Sequence, residues 1–423
     1  MHTLLDFKGF AKAEVNLFSP LTVVIGPNGV GKTNLIEAIE LLAFIASGQP
    51  LHTVTDAGRG GSFEVRGGLQ SCARRPQRQF TLGFVARVPF EGRQERCAYS
   101  VTVRAAPSPE IESESLVVGG RSWFDARHRD KAGLLDVTYD NFARGPNKPT
   151  ATAPAGTSVL SQYVGLATRN TRLDVCAKTI GVIRQQLQRA YVFDPSARLM
   201  RDYNRVGNTV LLRDGSNLSS VLYGLSIGTD EGKAALARIV DRIRHLPEEP
   251  FAEIGFETTN LNDVLFGFRA QPGGPLIDAR LLSDGTLRTL AVLTALETCE
   301  TSSRLVVEEF DNGVHPSRIA MLANGLVETA TRRKLNVLVT THNPATLDAL
   351  SKDQLAGVLV CYWMRTEGVA AVTPLMDLPR VDELLERGRL GDLVTRRIVE
   401  TYLQPVSEAE RAAQVKAWLL GLP

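Results

Sequence analysis

Cysteine is scarce in this chain: five in 423 residues, at positions 72, 97, 176, 299 and 361, with no CxxC pair. An odd, scattered set argues against a disulfide framework or a zinc ribbon and fits a reducing compartment. Long apolar runs are missing too. The longest, residues 41–46 and 356–362, fall far short of the roughly 20 residues that span a bilayer. The opening residues carry no basic and apolar leader pattern, so no secretion signal is predicted. Net charge is only +2, which excludes a global field that gathers nucleic acid or acidic lipid. The six histidines are dispersed, without the HxxH or HExxH spacing of a metal hydrolase, and no GxSxG elbow is present. The interval between Thr33 and Leu282 lacks sustained heptads, which excludes a long coiled coil. The expectation is a soluble, cytoplasmic, globular protein with no membrane partner.

What is present is organised as α/β. Leu21-Thr22-Val23-Val24-Ile25 is a short, continuous apolar run, as in a parallel strand buried on both faces. Residues 34–45 follow with helical spacing. Residues 80–84, 99–103 and 111–118 read as antiparallel hairpin strands. Residues 143–158, rich in Pro, Gly, Thr and Ala, read as a mobile loop. Alternation returns with strands at 305–307 and 335–339, a helix over 316–333 between them, and a further strand at 357–363. Ser407 followed by Glu410 is a capping-box pattern that predicts a C-terminal helix.

Between the first strand and helix lies Gly26-Pro27-Asn28-Gly29-Val30-Gly31-Lys32-Thr33, a full GxxxxGK[ST] loop. Glycines let backbone N–H groups turn inward around a polyphosphate, and the helix N-terminus adds its positive end. Lys32 supplies a cation for the β- and γ-phosphates, and the Thr33 hydroxyl is the expected Mg²⁺ ligand. Asn34 completes the ATP-binding set. The strand at 304–307 ends in two carboxylates. Glu308, where Asp is usual, is expected to hold Mg²⁺, and Glu309 to polarise the attacking water.

Leu282-Ser283-Asp284-Gly285-Thr286 resembles the ABC signature LSGGQ, with Thr286 where Gln is usual. Glu309-Phe310-Asp311-Asn312-Gly313-Val314-His315-Pro316 is similar to the EPENGLHP segment of RecF/OLD-like ATPases, and Thr340-Thr341-His342-Asn343-Pro344 to their switch-histidine loop. Phe7-Lys8-Gly9-Phe10 resembles the start of RecF- and SMC-type heads, and Asp214-Gly215-Ser216-Asn217-Leu218 a further family segment. The resemblance implies an ABC-type P-loop ATPase head with a mixed or parallel sheet core, an antiparallel β lobe and a helical insert. The division expected is lobe I at 1–130, an insert with a flexible loop and helices at 131–275, lobe II at 276–380 and a helical tail at 381–423.

The resemblance further implies an ATP-dependent homodimer that pairs head-to-tail. Ser283, Asp284 and Gly285 would face the nucleotide of the other copy, His342 would contact the γ-phosphate in cis, and residues 311–315 would turn across the seam. A glutamine loop should join the lobes, and Gln70 is its candidate. Too few residues follow His342 for the Toprim nuclease of OLD-type proteins. The leading functional expectation is an ATP-driven switch of a separately encoded effector, as in bacterial anti-phage defence. The alternatives are a RecF-like DNA-repair ATPase and an ATP-locked scaffold. An ABC transporter subunit is disfavoured. Basic clusters at Arg74, Arg75 and Arg78, at Arg332, Arg333 and Lys334, and at Arg396 and Arg397 leave nucleic-acid contact open.

Overall fold

The computed structural model describes residues 1–16, 19–58, 63–129, 133–143, 148–245, 251–396 and 398–403. The predicted helix after Ser407 lies outside them. The strands are β1 (His2–Phe7), β2 (Phe10–Val15), β3 (Leu21–Ile25), β4 (Val54–Asp56), β5 (Phe63–Val65), β6 (Gln79–Phe90), β7 (Arg93–Arg104), β8 (Glu110–Val118), β9 (Arg121–Arg129), β10 (Leu134–Tyr139), β11 (Thr150–Pro154), β12 (Ala190–Phe193), β13 (Asn204–Arg205), β14 (Glu253–Thr258), β15 (Asp263–Arg269), β16 (Ile277–Asp278), β17 (Arg304–Val307), β18 (Asn336–Thr340), β19 (Val358–Met364) and β20 (Val369–Pro374). The helices used below are α1 (Lys32–Ser47), α2 (Val159–Leu166), α3 (Leu173–Gln188), α4 (Leu218–Ile227), α5 (Asp230–Arg244), α6 (Asp284–Thr298), α7 (Pro316–Arg333) and α8 (Pro344–Ala349).

One sheet of 14 strands runs β11-β10-β9-β8-β7-β6-β1-β2-β20-β19-β3-β18-β17-β12. From β11 to β2 every pairing is antiparallel. From β19 through β3, β18 and β17 to β12 every pairing is parallel. The two halves follow from their residue patterns. All five residues of β3 are buried, because helices cover both faces. Val24 packs into one hydrophobic cluster while Val23 and Ile25 pack into the other, and Val306 and Leu338 divide from their neighbours in the same way. In β7, buried and partly exposed residues alternate over its second half, the signature of a strand with one covered face.

Helices α1, α2 and α3 lie with the antiparallel half in the first cluster. Helices α4 to α7 and the small sheet β13-β15-β14 form the second. The predicted strands at 80–84, 99–103 and 111–118 fall inside β6, β7 and β8.

Two expectations need correction. Residues 143–158 are not all loop: Thr150–Pro154 is strand β11, the outer edge of the large sheet. Thr and Ala alternate there, Ala153 turns into the core, and an edge position tolerates Pro154. Residues 131–275, expected as an insert, also supply β10, β11 and β12 to the large sheet. Among the described residues no helix is long and apolar enough to cross a membrane.

Candidate functional site

The ends of the parallel strands β3, β17 and β18 place the site. After β3 the chain turns through Gly26, at φ 147°, where a Cβ would lie 2.2 Å from the Cys361 carbonyl oxygen. No other residue fits that approach. Pro27, Asn28 and Gly29 are exposed, Val30 is buried, and Gly31 (φ 113°) leads into α1. The first turn of α1 holds no acidic residue, so its positive end and free N–H groups favour an anion. Lys32 folds back over the loop. Its Nζ donates to the carbonyls of Gly26 (2.6 Å) and Pro27 (3.1 Å). Burial lowers its pKa, while the negative charge of Glu309 opposes that shift. Asn34 accepts a 3.4 Å hydrogen bond from Arg66, and Arg66 and Lys8 both pair with Glu37 on α1. These contacts tie the β1–β2 turn and the β5 exit to the phosphate-loop helix.

β17 delivers Glu308 and Glu309. The Glu308 N–H donates to the Phe193 carbonyl at the end of β12 (3.2 Å). Burial raises the Glu308 carboxyl pKa and the Asp194 charge adds to the shift, while the Arg213 charge and the neighbouring Thr33 hydroxyl oppose it. Thr33 and Glu308 thus bring a hydroxyl and a carboxylate together at the head of α1. Among the described residues no three His, Cys, Asp or Glu side chains cluster as a metal cage. A hydroxyl and one carboxylate suit Mg²⁺, which takes few protein ligands and completes its shell with phosphate and water.

Glu309 adopts φ 43°, a left-handed conformation that costs a non-glycine residue free energy. It is fixed on three sides. Its N–H donates to Thr340 Oγ1 (2.9 Å), its Oε2 accepts from Asn312 Nδ2 (3.2 Å), and its Oε1 lies 3.7 Å from His342 Nδ1. Glu309 and His342 are each about half exposed, at 43% and 50% of their side-chain surface, so both face the open side of the loop.

His342 stands between two anchored neighbours. Thr341 Oγ1 accepts from Asn343 N–H (2.9 Å) and donates to Asp311 Oδ2 (2.5 Å), and Thr346 also donates to Asp311 Oδ2. Asn343 caps α8. Asp311 is therefore buried as the anchor of the histidine loop. Burial raises its pKa despite the two threonine hydroxyls. Asp311→Ala is expected to destabilise the fold by about 2 kcal/mol, because it leaves two buried hydroxyls short of an acceptor. Chemical denaturation would measure the loss. Asp311→Asn, which keeps an acceptor oxygen, should be milder.

Ser283 caps α6, its Oγ accepting from Thr286 N–H (3.2 Å). Asp284 pairs with Arg201 (2.6 Å). Gly285 packs on the Asn312–Val314 turn so closely that a Cβ would lie 2.4 Å from the Gly313 carbonyl oxygen. Thr286, in the place of the usual glutamine, is wholly buried and accepts from Arg318 (3.2 Å). Ser283 and Asp284 are exposed. Among the described residues no hydrogen bond or ion pair joins 283–285 to 26–33.

Lys32, Thr33, Glu308, Glu309 and His342 are thus linked at the strand ends by the contacts and charges above, while Ser283 and Asp284 are exposed and Gly285 is buried against the Asn312–Val314 turn. Gln70 is exposed on the turn Leu69–Ser71, and the strand-end residue whose charge acts on Glu308 is Asp194. Asp194, Glu40 and Arg213 escaped the sequence reading; the only signal nearby was the 214–218 segment. Arg74 pairs with Asp6, and Arg332 with Glu297, so one residue in each of two of the three basic clusters has an acidic partner within the chain.

A family model described as "AAA domain, putative AbiEii toxin, Type IV TA system" matches residues 21–86 and 193–348, more than half of the chain. Short similarity extends to the DNA replication and repair protein RecF. The Streptomyces avermitilis protein is 49% identical over 45 residues, 11% of this chain and 12% of that one. The Gloeobacter violaceus protein is 50% identical over 38 residues, 9% of this chain and 10% of that one. The chain thus matches only about a tenth of the length of these curated relatives. Among solved structures, an SMC head bound to the C-winged helix domain of ScpA aligns at TM-score 0.47 and 14% identity, covering 88% of this chain and 95% of that one. The SMC head domain from Thermotoga maritima aligns at TM-score 0.42 and 14% identity, covering 88% and 97%. With the phosphate loop, the carboxylate strand and a match over more than half of its length, the chain belongs to this AAA-domain family.

Proposed function

We propose that the protein binds ATP with Mg²⁺, hydrolyses it, and pairs head-to-tail with a second copy so that two nucleotides lie between them. The observation that carries this reading is the meeting of Lys32, Thr33, Glu308, Glu309 and His342 at the ends of three parallel strands, with Ser283 exposed elsewhere. Lys32 exchanges its two carbonyl partners for phosphate oxygens. Thr33 and Glu308 hold the metal, which when bound neutralises charge developing on the phosphates. Glu309 orients and polarises the attacking water, and His342 steadies it and the terminal phosphate. Ser283 and the first N–H groups of α6 offer a second helix N-terminus to the nucleotide of the other copy. Leu281, 74% exposed beside Ser283, is an apolar contact for that seam. Residues 1–130 and 276–380 act as the two lobes, 131–275 add the sheet strands β10, β11 and β12 together with the helices between them, and 381–423 form the tail.

The output of the cycle, in this reading, is the state of a separately encoded effector in bacterial anti-phage defence, a role in keeping with the toxin–antitoxin description of the family. A second reading, a DNA-repair ATPase, is favoured by the short RecF similarity. It predicts DNA-stimulated turnover and steep salt dependence. The pairing itself is tested by Ser283→Arg. The variant should keep ATP affinity as a monomer yet show no ATP-dependent dimer by light scattering, and a normal dimer would overturn the arrangement.

A further inference from the structure

The segment Asp214-Gly215-Ser216-Asn217-Leu218 is not used above, and it is built against the carboxylate site. Asn217 is buried. Its Oδ1 accepts from the Leu212 N–H and its Nδ2 donates to the Val210 carbonyl, both at 2.8 Å. Asp214 Oδ1 accepts from the Ser216 N–H (2.9 Å). On the other side, the N–H groups of Asp194 and Ser196 donate to the carbonyls of Arg213 and Asp214, both at 2.9 Å. The Tyr191 hydroxyl donates to the Leu211 carbonyl. Residues 210–214 are therefore clamped along the end of β12, the strand beside β17.

That clamp gives the Arg213 guanidinium two carboxylates. Nη1 donates to Glu40 at 2.7 Å, whereas Nη2 stands 3.9 Å from Glu308. The first is a hydrogen bond and the second is not. Glu40 lies on α1 two turns beyond Thr33, on the same face. Its side chain is 13% exposed, that of Glu308 17%, and that of Arg213 52%. A guanidinium bonded to Glu308 would compete for the oxygens that a metal needs. One held 2.7 Å from Glu40 leaves them free.

We propose that Glu40 is a positioning residue that holds Arg213 off Glu308, and that Arg213, set in place by Asn217, is the internal cation against which Mg²⁺ competes. The inference rests on Glu308 as the metal carboxylate, the reading given above. Glu40 touches neither metal nor nucleotide in this arrangement. It acts through Arg213, and it sets how much Mg²⁺ the nucleotide site requires.

The test is an equilibrium Mg²⁺ titration of the full chain with a fluorescent ATP analogue, read as bound analogue rather than turnover. It is run at pH 8, because burial pushes the Glu40 carboxyl up to about 7. Glu40→Gln is expected to raise the half-saturating Mg²⁺ concentration about fivefold, Arg213→Gln to lower it, and the double variant to match Arg213→Gln. If Glu40 acted only as a nearby negative charge, its effect would persist undiminished in the double variant, and the proposal would fail. It fails as well if Glu40→Gln leaves the titration unchanged. Should Glu40→Gln not fold, the half-exposed Arg213→Gln decides alone: tighter Mg²⁺ supports the proposal and equal or weaker Mg²⁺ overturns it. Glu308→Gln separates the two layers. If it leaves the Mg²⁺ titration intact, the metal assignment is wrong. If it shifts the titration while Glu40→Gln is silent, only the present inference is lost.

Discussion

Lys32→Ala is expected to lower ATP affinity roughly a hundredfold or more, the largest binding effect of any single change in the loop. The reason is that Lys32 is the cation the strand–loop–helix unit aims at the phosphates. A charge-assisted hydrogen bond to a phosphate oxygen contributes about 1.5–3 kcal/mol, and the ammonium can serve two phosphates. Part of that gain is offset, because the amine must leave Gly26 and Pro27, to which it donates in the structure described here. Those carbonyls sit in an exposed turn and can take water instead, so the fold should tolerate the change. Unfolding transitions close to those of the parent protein, with nucleotide binding lost, are the expected pair of results. Unchanged affinity in isothermal titration would remove Lys32 from the site and the phosphate loop with it.

The parts of this site that could be read from the residues share a physical property: their meaning is local. Residues 21–33 encode strand, turn and helix within one short run, and each glycine answers to its own backbone or one close neighbour. Glu308 and Glu309 end an apolar strand and so declare their place at a sheet edge. What could not be read was set by contacts between distant segments. Asp311 has its partners at Thr341 and Thr346, and only the parallel pairing of β17 with β18 brings them together. Arg213 reaches Glu40 across 173 positions of chain. The edge strand β11 was hidden because Pro, Thr and Ala also compose loops, and only a preformed β10 to pair with makes Thr150–Pro154 extended. The position beside Glu308 is occupied by Asp194, reached through the order β17–β12, which no spacing in the sequence records.

Glu309→Gln is expected to slow ATP turnover by about 10²–10⁴-fold, the range that positioned general bases supply, while leaving ATP affinity within about twofold. The substitution is nearly isosteric. The side-chain oxygen that accepts from Asn312 is retained, and the backbone N–H bond to Thr340 is untouched, so the residue should keep its φ of 43° and its direction. What is lost is the negative charge beside His342 and near Lys32, and with it the ability to polarise water. Since binding survives and the step that ends the bound state does not, ATP should hold two copies together. Size exclusion with ATP would show a dimer that persists for hours, where the parent protein's dimer decays with turnover. Adding Ser283→Arg to the same chain should abolish that dimer without restoring turnover, because one residue governs the water and the other the seam. A parent protein whose turnover is no faster than that of Glu309→Gln would mean that ATP serves as a lock rather than a fuel. Full activity in the variant would instead remove Glu309 from the chemistry and leave its strained backbone without a catalytic reason.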